Sequence, residues 1–168
     1  MERRGLNVID LGCGTGLCGP LFRNIAARLV GVDLSSRMLE KARERHVYDE
    51  LREADIIDAL QNSANAFDLV LAADVFVYVG DLAPVFAACN KASRQGGLFA
   101  FSVESVESGN YVLRASGRYG HSLCYIRELA GKHGFDIATV RETMIRKEGQ
   151  QPIPGHVFVL NKKPDGQP

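Results

Sequence analysis

The chain has 168 residues, the size of one domain, and with 46% hydrophobic residues it can bury a sizeable core. Twenty lysines and arginines balance twenty aspartates and glutamates, and no run of like charge reaches five, so nothing draws the chain toward nucleic acid or an anionic membrane surface. The longest apolar stretch, Leu69 to Val79, is broken by Asp74 and is too short to span a bilayer.

Met1 is followed at once by Glu2, Arg3 and Arg4 and then by a core strand, a start that shows no secretory signal. Cys13, Cys18, Cys89 and Cys124 contain no C-x-x-C pair, which argues against a metal site. They read as reduced thiols of a cytoplasmic protein. No internal repeat or low-complexity segment is present.

Asn7-Val8-Ile9-Asp10-Leu11 is an apolar run that ends beside an acid and reads as a buried strand. Gly12, Gly14 and Gly16 follow at alternate positions, where the backbone can turn tightly and admit a ligand close to the main chain. Pro20 falls in the first turn of a helix predicted over Leu17 to Ala27. Strand, glycine loop and helix form the first unit of a nucleotide-binding sheet. Two cofactors compete for such a loop. Gly14 to Gly19 matches G-x-G-x-x-G, the dinucleotide fingerprint, but counted from the end of the strand the loop reads G-x-G-x-G. Asp10 favours the other choice. Its carboxylate would repel a pyrophosphate and suit a cationic, phosphate-free nucleoside such as S-adenosylmethionine, whose one carboxylate can use loop N–H groups and the helix dipole.

Arg28 to Asp33 is the second strand. Asp33 stands 21 residues after Gly12, the distance at which an acid accepts the ribose hydroxyls of a nucleoside. Ser35 is an N-cap for a helix reaching about Arg45, with Met38, Leu39 and Ala42 on its apolar face. A weakly marked third strand is placed at Leu51 to Ala54, followed by Asp55-Ile56. Asp55 suits either a helix cap or a ligand contact. Phe67 to Ala73 is the strongest strand signal and leads into Asp74-Val75-Phe76-Val77-Tyr78-Val79. Its end lies beside the first strand, at the switch point where such sheets bind ligands. A helix over Asp81 to Arg94 is stopped by Gly96 and Gly97, and Leu98 to Val103 is the fifth strand. Ser105 to Ser122 is polar and glycine-rich and is predicted as a loop covering the site. Ser122 caps a helix over Leu123 to His133, Phe135 to Arg146 is a strand, Glu148 to Gly155 a turn, His156 to Leu160 the closing strand, and Asn161 to Pro168 a polar tail.

Asp10 to Gly16 resembles motif I of the class I S-adenosylmethionine-dependent methyltransferases, and the later segments fall in that family's order over nearly the whole chain. The resemblance implies an α/β fold: a Rossmann-like three-layer α/β/α sandwich with a seven-stranded, mostly parallel sheet in the order 3-2-1-4-5-7-6, strand 7 antiparallel. It implies S-adenosylmethionine as cofactor and S-adenosylhomocysteine as product. Asp55, with Asp58 as its competitor, then faces the adenine amino group with Ile56 on the ring, Met38 packs in the core with the adenine edge as its second role, and Ala73 offers its backbone to the cofactor's amino group. The cofactor-binding set is predicted as Asp10, Gly12, Cys13, Gly14, Gly16, Asp33, Leu34, Met38, Asp55, Ile56 and Ala73.

Relatives usually carry one or two helices before motif I, so a core cut from a longer chain is expected. Ala73 to Tyr78 and Pro152-Ile153-Pro154-Gly155-His156 resemble a bacterial group of predicted methyltransferases, some of which carry tetratricopeptide repeats ahead of the domain. Asp74-Val75-Phe76 departs from the Asn- or Asp-Pro-Pro-Tyr motif of enzymes that methylate nucleobase or glutamine nitrogens, which points to a small-molecule acceptor.

Methyl transfer is an in-line displacement with a neutral leaving group, so alignment supplies much of the acceleration and a base is needed only when the nucleophile must shed a proton. Candidate bases are His121, Asp74, Tyr119 and Tyr78; His121 combines a near-neutral pKa with a place in the expected covering loop. An NAD-dependent oxidoreductase is disfavoured by the lack of Tyr-x-x-x-Lys and of length for a substrate domain. A cofactor-binding module without catalysis is the remaining alternative.

Overall fold

A computed structural model describes residues 4–164. Its parallel strands are β1 (Leu6–Leu11), β2 (Ala26–Asp33), β3 (Glu50–Glu53), β4 (Phe67–Ala72) and β5 (Ser93–Ser105). Two long strands close the chain, β8 (Phe135–Glu148) and β9 (Gln151–Lys162), and a short hairpin, β6 (Tyr111–Leu113) and β7 (Tyr119–His121), precedes them. β9 runs antiparallel between β5 and β8, so the seven main strands lie in the order β3-β2-β1-β4-β5-β9-β8. This is the expected 3-2-1-4-5-7-6 sheet with its antiparallel seventh strand. The hairpin is an addition: β7 pairs in parallel with the last residues of β5, Glu104 and Ser105.

Alternation along β1 sorts the core. Ile9 and Leu11 face the larger cluster, with Phe76, Phe86, Phe99, Phe101, Phe135 and Phe158. Helices α3 (Ile56–Gln61), α4 (Ala83–Ala92) and α5 (Leu123–Lys132) cover that face through Leu60, Phe86 and Ile126. The phenylalanines meet edge-on or stacked, as in the 5.1 Å pair Phe101–Phe158. Val8 faces the smaller cluster with Leu29, Leu69 and Leu71, against which Phe22 of α1 (Gly19–Phe22) and Tyr48 pack. Helix α2 (Ser36–Arg43) is capped by Ser35, whose side chain accepts the Met38 N–H.

Four expectations are corrected. The first helix is a single turn, because β2 already pairs with Leu6 at Ala26, and the Arg23 guanidinium fastens the tight return by donating to the Val47 and Ala26 carbonyls. The 105–122 segment is not an irregular loop. Tyr111-Val112-Leu113 and Tyr119-Gly120-His121 pair across a turn that ends at Gly117, whose φ is +76°. Asp55 caps a helix the sequence reading did not assign, its carboxylate accepting the Ile57 N–H at 2.7 Å. The turn predicted for 148–155 is confined to its first residues, and β9 starts at Gln151. Pro152 and Pro154 lie opposite Lys147 and Met144, where β9 has outrun β5, whose last pairing with it is Glu104 to Gly155. Proline is tolerated there because the β5 side of β9 carries no ladder at those residues.

Candidate functional site

The C-terminal ends of β1 to β4 open into one cleft of about 720 Å³, a size suited to a nucleoside cofactor. Asp10 of β1 lines it with Gly12, Cys13 and Gly14 just beyond, Asp33 at the end of β2 with Leu34 and Met38, Asp55 and Ile56 after β3, and Ala73 after β4. Of the predicted cofactor-binding set only Gly16 lies off the wall. It is needed for packing, because its φ is +77° and a Cβ there would come within 2.9 Å of the Tyr48 ring. Thr15, Leu17, Cys18, Ser35, Val75 and Val79 also line the cleft and were not anticipated. Their types carry no signal; they arrive through the turns that the glycines and Asp74 allow.

Asp10 is 2% exposed, and its Oδ2 accepts the Tyr48 hydroxyl at 2.7 Å. Burial, with the Asp33 charge adding to it and the Tyr48 hydrogen bond opposing, pushes its carboxyl from an ordinary 3.8 up to about 6. The tyrosine reaches across the sheet because the residue paired with Asp10 on β2 is Gly31, where a Cβ would come within 3.0 Å of the Tyr48 ring. Asp33 ties the loop to α2: Oδ2 accepts the Gly14 N–H at 2.9 Å and Oδ1 the Ser35 N–H at 2.8 Å. Burial pushes the Cys13 thiol up to about 12, so it stays neutral and serves as a small filler.

Gly12 has φ +60°, and a Cβ there would lie 2.3 Å from Val75 Cγ2. Val75 is brought there by Asp74, which is itself at φ +54° and whose N–H donates to Ser102 Oγ at 2.9 Å. A left-handed non-glycine residue is strained by roughly 1–2 kcal/mol and such residues cluster at ligand sites. Here it turns the chain into the short 3-10 turn Phe76–Tyr78, which buries Phe76 and Val77 and sets Tyr78 on the cleft wall.

The four candidate bases separate. Asp74 and Tyr78 line the cleft, and Tyr78 is 65% exposed. His121 and Tyr119 do not line it. His121 is fully buried in β7, with Nε2 within 3.0 Å of the Val79 and Gly80 carbonyls. Two facing carbonyls require the proton on Nε2, and burial lowers its pKa, so the imidazole is a neutral clamp between the hairpin and the cleft wall. Tyr119 packs against Gly80 and edge-on to Tyr111. Among the described residues no group of three His, Cys, Asp or Glu side chains is disposed to hold a metal ion, and no helix is long and apolar enough to cross a membrane.

Residues 9–101, more than half of the chain, match the family model described as a methyltransferase domain. The chain belongs to this family. It is 34% identical over 133 residues to a ubiquinone biosynthesis O-methyltransferase of Methylocella silvestris, an alignment covering 70% of this chain and 50% of that protein. The chain spans about half the length of the curated relatives it matches. The fold is that of an S-adenosylmethionine-dependent methyltransferase from Mesorhizobium loti, with a TM-score of 0.75, 23% identity, and coverage of 96% of this chain and 93% of that one. A [4+2]-cyclase shares the fold at a TM-score of 0.80 and 16% identity, over 96% of this chain and 76% of that one. The architecture of this methyltransferase domain is therefore compatible with more than one chemistry, and function must be argued from the cleft.

Proposed function

We propose that this methyltransferase domain binds S-adenosylmethionine in the cleft and methylates an oxygen of a small acceptor. The observation that carries the reading is the charge of the wall. Asp10, Asp33, Asp55 and Asp74 line the cleft, and among the described residues no lysine, arginine or histidine does. A diphosphate lying along the glycine loop would meet the Asp10 and Asp33 carboxylates, whereas a nucleoside with a sulfonium and an ammonium group finds compensating charge. The O-methyltransferase name of the 34%-identical relative supports oxygen as the acceptor atom.

The residues fit the cofactor in kind. Gly12 and Gly14 keep the loop backbone clear of side chains, Asp33 retains lone pairs for ribose hydroxyls beside its two N–H contacts, and Asp55 and Ile56 give a polar and an apolar wall for the base. When bound, the cofactor supplies an electrophilic methyl group on a sulfonium, which departs as a neutral thioether. The protein's work is to orient, to exclude water and to accept one proton. Asp74 is the only one of the four candidate bases that combines a carboxylate with a place on the cleft wall, and it takes the acceptor's hydroxyl proton.

Titration calorimetry with S-adenosylhomocysteine tests the reading, with binding expected near neutral pH. No detectable binding, or tighter binding of NAD, overturns it. Binding without methyl transfer to a broad panel of hydroxylated metabolites would favour a module that holds the cofactor without catalysis.

A further inference from the structure

The hairpin β6–β7 carries, next to the cleft, an arginine with no counter-ion among the described residues. Arg114, at the hairpin's start, is committed to the fully buried Glu104, as is Arg146 of β8. Arg118 lies at the other end of the turn. Its guanidinium carbon sits 5.5 Å from the centroid of the Tyr78 ring, and that ring lines the cleft. Its Nη1 is shielded from solvent and has no acceptor among the described residues, although the residue as a whole is only half-buried. Buried polar donors are almost always paired, so an unpaired one at the edge of a site marks a place where the missing acceptor arrives with a ligand.

The position is held. His121 joins β7 to the Val79 and Gly80 carbonyls, the Tyr111 and Tyr119 rings close over Gly80, and the Arg114 N–H donates to the Arg118 carbonyl. The guanidinium is thus fixed on the Asp74–Tyr78 side of the cleft, away from the glycine loop. A monoanion fits this position best: one guanidinium balances one negative charge, whereas a phosphate dianion would carry a second charge into the cleft that Asp74 also lines. A carboxylate matches the planar fork of the guanidinium.

Resting on the methyltransferase reading, we propose that Arg118 recognises a carboxylate on the methyl acceptor, so that the acceptor is a small organic acid bearing a separate hydroxyl. Arg118 is a specificity residue; Tyr78 supplies the ring on which its charge rests.

The test uses the protein saturated with S-adenosylhomocysteine. A panel of hydroxylated aryl and alkyl carboxylic acids and their primary amides is screened by ligand-observed NMR. At least one acid binds at least tenfold more tightly than its amide. Arg118→Met removes that preference, Arg118→Lys keeps part of it because the charge remains without the fork, and S-adenosylhomocysteine affinity stays within twofold in both variants. The proposal is overturned if no acid is preferred, or if Arg118→Met leaves the preference intact. It is also overturned if both variants lose S-adenosylhomocysteine affinity, which would assign Arg118 to the cofactor's own carboxylate. Failure of the wild-type protein to bind S-adenosylhomocysteine removes the underlying reading and this proposal with it. That outcome is distinct from the loss of acid preference in a protein that still binds it.

Discussion

Replacing Asp10 with Asn should make the ligand-free protein more stable and abolish its cofactor binding. In the folded state the carboxyl is held near 6 against an ordinary 3.8. Each pH unit of such a shift is 1.36 kcal/mol, so keeping Asp10 ionised costs about 3 kcal/mol of stability. The sign follows from proton binding. Between pH 3.8 and 6 the folded state holds a proton that the unfolded chain has released. Stability from this group is therefore complete below pH 3.8 and lost as the pH rises through 6. Asn is neutral throughout and can still accept the Tyr48 hydroxyl. The stability of Asp10→Asn minus that of wild type should thus be near zero at pH 4 and about 3 kcal/mol at pH 8, roughly 6–12 °C in Tm for a domain of this size. Urea titrations of both proteins at several pH values measure it, since every other group titrates in both and cancels. Calorimetry supplies the other half: wild-type affinity for S-adenosylhomocysteine falls below pH 6, where Asp10 becomes protonated, and binding near pH 6 releases a proton. A stability difference that does not change between pH 4 and 8, or a variant that binds the cofactor as wild type does, refutes the reasoning.

Gly12→Ala combines a left-handed backbone with a Cβ 2.3 Å from Val75 Cγ2, and should cost about 2–5 kcal/mol and most of the cofactor affinity. Adding Val75→Ala should recover only part of the steric cost, because the Val75 Cβ itself lies 2.8 Å from the added Cβ, and none of the backbone cost, as thermal melts will show. Glu104→Ala leaves Arg114 and Arg146 facing a fully buried vacancy and should destabilise by about 3 kcal/mol in urea, a low value for a buried pair because both arginines reach solvent. His121 is held neutral by burial with its pKa lowered, so the unfolded chain takes up its proton first and stability is lost as the pH falls below 6.5. His121→Gln should remove that acid-side loss in urea titrations, provided the glutamine amide takes over the two carbonyls.

Much of the sheet was legible because parallel strands buried on both faces read as apolar runs, as in Phe67 to Ala72 and Val8 to Leu11. Asp10 and Asp33 could be placed at the cleft because each lies at the end of such a run, whereas Asp55 follows the weakly marked Glu50–Glu53 strand and was placed by the family resemblance. What stayed hidden depends on contacts far apart in sequence. Nothing in Tyr48 announces that it reaches Asp10 through the space left by Gly31. The 105–122 segment looked like a loop because three-residue strands are too short for alternation to register, and its pairing depends on the end of β5. His121 was attractive as a base on pKa grounds, but its burial against two carbonyls is set by the hairpin, which the sequence did not reveal.

The prolines at the start of β9 bear on how copies of this domain meet. Past Glu104 the strand has β8 on one side and no further β5 pairing on the other, and Pro152 and Pro154 remove two amide donors from that stretch. A second chain approaching that edge of β9 finds carbonyls but few N–H groups to register against, so this stretch of β9 is a poor template for a further strand. Along that edge the backbone itself discourages a neighbour, whatever side chains β9 carries.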